Sequence, residues 1–274
     1  MGSQLAAPFQ RRTVSFVRRD NRLAPRLQRT WDEHHETLVV DVPRAQGSMS
    51  VAPGFVLDAV RDFGRVAPLV VEIGSGTGDA VVNGAQARPG TNFLAVEVYR
   101  PGLAATMAKI VRRNLTNVRL VQADAAEVLA TMLATSSVHE MWTFFPDPWH
   151  KVRHHKRRLV NDTFVDLLAS RLVEGGGWRL ATDWVDYARQ MRDVAAACGS
   201  LTNPYAGKLP PGYAPGRHTS ADPGTGFAPR FEGRVMTRFE QKGLASGRRI
   251  YDLELRRALP AAQNGGGAQN GGGG

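Results

Sequence analysis

Cysteine is almost missing from this chain: Cys198 is the only one in 274 residues. A lone thiol excludes an internal disulfide framework and any all-cysteine zinc site, and in Ala-Ala-Ala-Cys-Gly-Ser it reads as a small buried or helix-end residue. Long apolar runs are missing too. None approaches the ~18 residues that span a bilayer, and no apolar stretch near the N-terminus reads as a signal peptide, so a cytoplasmic protein without a membrane partner is expected. Acids are scarce in two places. Asp20 is the single acid in the first 30 residues, against Arg11, Arg12, Arg18, Arg19, Arg22, Arg26 and Arg29. Residues 148–158 contain no acid, yet carry Lys151, Arg153, Lys156, Arg157 and Arg158.

The rest of the composition is that of a folded, basic protein. Hydrophobic residues make up 42% of the chain, enough for a full core, and the length suits one α/β domain with appendages. A formal net charge of +10 favours a polyanionic partner. Residues 1–50 read as a basic, flexible N-terminal arm. Residues 51–257 read as the folded domain, interrupted at 203–233 by a long, mobile loop dense in Pro and Gly. The tail, 258–274, ends in Asn- and Gly-rich sequence that cannot bury enough surface to fold.

Within the domain, apolar strand-like runs at Leu69–Ile73, Phe93–Val98, Val118–Gln122, Met141–Phe145 and Trp178–Ala181 alternate with helical patterns. Leu103, Met107, Ile110 and Val111 fall at helical spacing. Such alternation predicts a mostly parallel sheet with helices on both faces. Ile250, Leu253 and Leu255 alternate with charged residues and suit a closing antiparallel strand.

Gly74, Gly76 and Gly78 follow the first strand directly, where glycine lets backbone turn tightly and approach a ligand. Position 79 is Asp79, so the dinucleotide fingerprint G-x-G-x-x-G is not met. The spacing E-x-G-x-G-x-G is that of S-adenosylmethionine-binding loops. Four acids, Glu72, Glu97, Asp124 and Asp147, stand at the ends of successive strands, the edge where open parallel sheets bind ligands. Glu97 is placed to grip ribose hydroxyls and Asp124 to meet an adenine amine, although a helix-cap role suits either. Glu72 is placed near the methionine end or orients the glycine loop.

Asp147 lies between Pro146 and Pro148, which fix φ at two positions and remove backbone donors. A stiff loop therefore presents a carboxylate at a strand end, and cations follow at once. Lys156, Arg157 and Arg158 read as the opening of a helix, where positive charge opposes the macrodipole. That placement favours phosphate contacts over an idle solvated face.

The stretch Phe144-Phe145-Pro146-Asp147-Pro148-Trp149-His150-Lys151 through Arg158 resembles the hallmark of the bacterial tRNA (guanine-N7)-methyltransferase family. The resemblance extends over residues 52–255 through Val71–Gly78, Ala95–Val98, Ala181–Trp184 and Thr237–Gly243. It implies a Rossmann-like methyltransferase fold with a seven-stranded, mostly parallel sheet, S-adenosylmethionine as cofactor, and methyl transfer to N7 of a guanine, that of the tRNA variable loop. It further implies that Asp147 is catalytic and touches the cofactor, and that Lys151, Asp183, Thr237, Arg238, Phe239 and Glu240 bind substrate. Phe239 is open between a base-stacking and a core role. Where the family carries proline after Arg234 this chain has Val235, and the preceding loop is longer. His150, His154 and His155 lack an accompanying acid or cysteine cluster, so no metal is expected. The assembly is read as a monomer or homodimer.

Two other functions fit less well. An exocyclic-amine methyltransferase carries two adjacent prolines between its acid or amide and the aromatic, whereas one proline separates Asp147 from Trp149. A non-catalytic RNA-binding module would not need the intact acids at 72, 97, 124 and 147.

Overall fold

The computed structural model describes residues 22–209 and 224–259, apart from the Arg238 side chain. In chain order the elements are α1 (Pro25–Leu38), α2 (Ala59–Phe63), β1 (Leu69–Ile73), α3 (Asp79–Ala87), β2 (Asn92–Val96), α4 (Arg100–Arg112), β3 (Val118–Val121), α5 (Ala125–Glu127), β4 (Val138–Phe144), α6 (Asp162–Arg171), β5 (Leu172–Thr182), α7 (Val185–Ala197), β6 (Leu201–Thr202), α8 (Arg238–Ala245) and β7 (Tyr251–Arg257). A π-helical turn, Val128–Met132, continues α5, and a 3-10 turn, Val152–Arg157, precedes α6.

The strands form one sheet in the order β3-β2-β1-β4-β5-β7-β6. The first five are parallel; β7 runs antiparallel to β5, and β6 antiparallel to β7. Every residue of β1 and β2 is buried, as expected of parallel strands covered on both faces. Alternation then divides the core. Val71, Ile73, Leu94 and Met141 face the layer of α6 and α7, with Phe164, Leu168, Tyr187 and Met191. Val70, Phe93, Ala95 and Trp142 face α3 and α4, with Val81, Leu103, Met107 and Ile110. The order reverses between β1 and β4, and beyond the carboxyl ends of the strands at such a reversal open α/β sheets bind ligands.

Part of the expected flexible arm is ordered. Residues 25–38 form α1, begun by a proline at its first turn and seated by Trp31 and Leu38 in the α3/α4 layer. Arg100 lies 4.7 Å over the Trp31 ring, and the Val40 N–H donates to the Leu120 carbonyl at the edge strand β3. The arginines that surround this segment masked an apolar stripe of only a few residues. Residues 1–21 and the tail beyond 259 lie outside the described residues, as does the middle of the Pro/Gly loop, 210–223. The loop's described ends are tied down: Phe227 is buried and Ala228 bridges Asp252 on β7. Among the described residues no helix is long and apolar enough to cross a membrane.

Candidate active site

The glycine turn after β1 needs its glycines for two reasons. Gly74, Gly76 and Gly78 have φ of 70°, 55° and 73°, the left-handed region that other residues rarely adopt. Packing adds a second: a Cβ on Gly78 would come within 2.3 Å of Thr106, and one on Gly102 within 2.5 Å of the Gly76 carbonyl. The turn and the start of α4 are thus in backbone contact. By contrast, Cβ atoms on Gly74 and Gly76 would meet nothing within 4 Å, so the outer side of the turn is an open backbone cradle. Ser75 Oγ is buried there without a hydrogen-bond partner.

Two of the strand-end acids bond backbone at and just after this turn. The Glu97 carboxylate accepts from Gly76 N–H at 2.8 Å and from Val98 and Tyr99 N–H at 2.8 and 3.0 Å. Glu72 is buried beneath the turn and accepts from Val81 N–H, in the first turn of α3, at 2.9 Å. Burial, with one backbone donor as partial relief, pushes its carboxyl up to about 8. That bond ties Glu72 to the start of α3, directly after the glycine turn. Asp124 accepts from Ala126 N–H at 2.9 Å as the N-cap of α5.

Beyond the end of β4, Asp147 is exposed. The loop that carries it is pinned where it leaves the sheet, by Phe145 N–H to the Ala181 carbonyl at 2.7 Å. Phe145 and Trp149, which bracket Pro-Asp-Pro, both have positive φ, 52° and 44°. For aromatic residues this is strained backbone, and such strain persists only where surroundings hold it. His150 packs on Trp184 with ring centroids 4.1 Å apart, which joins this loop to the one after β5. Asp183, in that second loop, is half-buried, with Arg248 Nε 3.0 Å from Oδ2.

A family model, Methyltransf_4, described as "Putative methyltransferase", matches residues 66–210. The chain is 48% identical over 287 residues to the tRNA (guanine-N(7)-)-methyltransferase of Arthrobacter sp. (strain FB24), covering 93% of this chain and 90% of that protein. It is 47% identical to the enzyme of the same name from Paenarthrobacter aurescens (strain TC1), covering 93% and 95%, and 45% identical to that of Cutibacterium acnes (strain DSM 16379 / KPA171202), covering 90% and 84%. The chain belongs to the tRNA (guanine-N(7)-)-methyltransferase family. Among solved structures, the 16S rRNA methyltransferase KamB matches with a TM-score of 0.50 at 15% identity, over 80% of this chain and 100% of that one; the likeness is one of fold.

Two of the family's motif residues sit otherwise than the sequence suggested. Glu240, expected at a purine edge, is only 1% exposed. Its carboxylate receives Arg230 Nε at 2.9 Å and lies 2.9 Å from Arg234 Nη1. Arg234 is itself buried and donates two 2.8 Å bonds to Asp252 on β7, so Glu240 anchors α8 to the sheet. Arg158, expected at a phosphate, is 2% exposed. The cations open no α-helix: Lys156 and Arg157 end the 3-10 turn, and α6 starts later, where Asn161 caps Phe164 N–H. Thr237 caps α8 by accepting from Glu240 N–H at 3.1 Å. Phe239 is 73% exposed, which removes its core reading. Lys151, Arg153, Lys156 and Arg157 are exposed. Arg238 opens α8, and its side chain is not among those described.

Sequence reasoning missed the buried arginines and the His150–Trp184 pair. A signal for one was present. Asp186 and Gln190 are four apart on α7 and so share a face, a ready acceptor pair for a nearby basic run.

Proposed function

We propose that this chain transfers a methyl group from S-adenosylmethionine to N7 of a guanine in tRNA, with Asp147 as the residue that orients the guanine. The observation that carries the reading is the placement of an exposed carboxylate, on a loop stiffened by two prolines, at the end of β4 where strand order reverses.

The residues opposite fit the cofactor. An open glycine cradle, an unpartnered buried hydroxyl at Ser75 and carboxylates at Glu97 and Asp124 suit a nucleoside with an amino-acid tail. Glu97 would hold ribose hydroxyls and Asp124 the adenine amine. Glu72 holds the start of α3 behind the turn through Val81 N–H. The bound sulfonium supplies an electrophilic methyl group.

Guanine N7 carries an in-plane lone pair, so no base is needed to remove a proton first. The protein's task is alignment of nucleophile and methyl carbon and stabilisation of the positive charge that grows on the ring. An Asp147 carboxylate accepting from guanine N1–H or N2–H does both. Lys151, Asp183, Thr237, Arg238 and the exposed Phe239 ring would frame the base and its backbone, and the exposed cations of 151–157 would meet phosphates.

The test is Asp147→Ala with purified chain, S-adenosylmethionine and tRNA transcripts, the product mapped for 7-methylguanine. A normally folded variant whose turnover falls by roughly two or more decades is expected. Near-normal turnover removes Asp147 from the mechanism, and a methyl group mapped to an exocyclic amine overturns the N7 chemistry.

A further inference from the structure

We propose that Arg158 is a positioning residue for Asp147, a strut inside the protein that fixes the far end of the Pro-Asp-Pro loop. The inference rests on the reading of Asp147 just given. Arg158 closes the basic run, yet it differs from its neighbours in surroundings. Lys156 and Arg157 are exposed, while Arg158 is 2% exposed, out of reach of a phosphate.

Its donors are distributed among three elements. Nε donates to the Pro148 carbonyl at 2.8 Å. Nη1 donates to Gln190 Oε1 at 2.8 Å and Nη2 to Asp186 Oδ2 at 2.5 Å, both on α7. His155 Nε2 lies 3.0 Å from Nη2, and the guanidinium sits 4.7 Å over the buried Tyr187 ring. Gln190 is fixed in turn, because its Nε2 donates to the Val160 carbonyl at 3.0 Å. A planar fork with five donors satisfies this set of acceptors; a lysine ammonium does not.

The carbonyl is the consequential partner. Pro148 has its φ set by the ring, and the Asp147–Pro148 peptide is planar. Fixing the Pro148 carbonyl therefore restrains Pro148 ψ, the soft torsion between that carbonyl and the Asp147 peptide, and so the path of the backbone back to Asp147. At the other end Phe145 N–H is bonded to Ala181. Asp147 stands between two anchored points, Phe145 and Pro148, and the aromatic residues there, Phe145 and Trp149, lie in the left-handed region, where backbone strain has to be held by neighbours. Arg158 holds the Trp149 side from inside, while Arg157, 5.0 Å over the ring, and His154, with ring centroids 5.8 Å apart, pack on Trp149 itself.

The experiment is a double-mutant cycle on the full chain with S-adenosylmethionine and tRNA, by single-turnover kinetics. Arg158→Lys should lower the methyl-transfer rate about 10- to 100-fold, with tRNA and cofactor affinity within about twofold of the parent. In the Asp147→Ala background the same change should alter the residual rate by less than about twofold, since the acid it positions is gone. Gln190→Ala, which removes one anchor of the fork, should repeat the pattern more weakly, and it replaces Arg158→Lys if that variant does not fold. Equal losses in both backgrounds would mean that Arg158 serves stability alone. Weakened tRNA binding with a flatter salt dependence would make it a phosphate ligand, and an unchanged rate would leave it no role. Each of these outcomes overturns the proposal. If Asp147→Ala itself turns over normally, it is the catalytic reading that fails.

Discussion

Two glutamates on neighbouring strands show how differently the sheet's two edges treat charge. Glu140, near the amino end of β4, receives Arg88 at 2.8 Å and Arg179 at 2.9 Å. Arg179 also reaches Glu254 at 2.9 Å, and Glu254 reaches Arg256. Burial opposes the Glu140 charge, but the arginines outweigh it, and its carboxyl lies below the usual range. Glu72, near the carboxyl end of β1, is more deeply buried and has one backbone donor and no arginine; its carboxyl rises to about 8. Glu140, at the amino edge, is compensated by the arginines around it. Glu72, at the carboxyl edge, is left under-compensated, as expected where a ligand completes the environment.

The sharpest test of that contrast is stability against pH, where the two groups have opposite signs. For Glu140 the folded value is depressed, so its contribution is present above the unfolded value near 4.5 and fades as pH falls through the folded one. Glu140→Gln should cost about 1–3 kcal/mol near neutral pH, less than a fully buried pair because the carboxylate is 15% exposed. That cost should shrink in acid. For Glu72 the folded value is raised, so the folded protein holds a proton that the unfolded chain loses, and stability declines as pH rises from about 4.5 to about 8. Glu72→Gln should remove this decline. Urea midpoints across that range would check both, and parallel profiles for the two variants would erase the distinction between the edges.

Glu97→Ala tests the carboxyl edge alone. It removes the expected ribose ligand and, with it, the hydrogen bond to Gly76 N–H. S-adenosylmethionine affinity should fall about tenfold or more, the worth of one to two charged hydrogen bonds. Calorimetric titration measures it directly. An unchanged affinity would confine Glu97 to holding the turn.

Much of this edge was legible from residue order alone, and the reason is local. Gly74, Gly76 and Gly78 follow an apolar strand, and backbone conformation there depends on the residue itself. Strand starts and ends at Leu69, Ile73 and Val118 followed from burial on both faces. What was not legible depends on partners distant in sequence. Arg158 looks like Arg157 until Asp186 and Gln190 arrive from α7, 28 and 32 residues later. Glu240 looks like a substrate ligand until Arg230 and Arg234 close on it. The α1 segment hid for a different reason: seven arginines in the first 30 residues outweighed the Leu27, Trp31 and Leu38 stripe.

The basic run itself is the smallest and most divisible case, because exposed and buried cations lie side by side within it. If Lys156 and Arg157 bind phosphates, Lys156→Gln with Arg157→Gln should weaken tRNA binding several-fold at moderate salt. The slope of log affinity against log salt should flatten by roughly one unit or less for each phosphate no longer neutralised. The Arg157 guanidinium also lies 5.0 Å over the Trp149 ring, so this variant probes the loop's outer support as well. Cofactor affinity should hold, since the glycine turn and Glu97 are untouched. An unchanged salt slope would make both cations ordinary surface charge and move the search for phosphate ligands to Lys151, Arg153 and the arginines ahead of α1. A fall in rate without a fall in affinity would instead assign Arg157 to the support of Trp149, extending to the surface the positioning role inferred for Arg158.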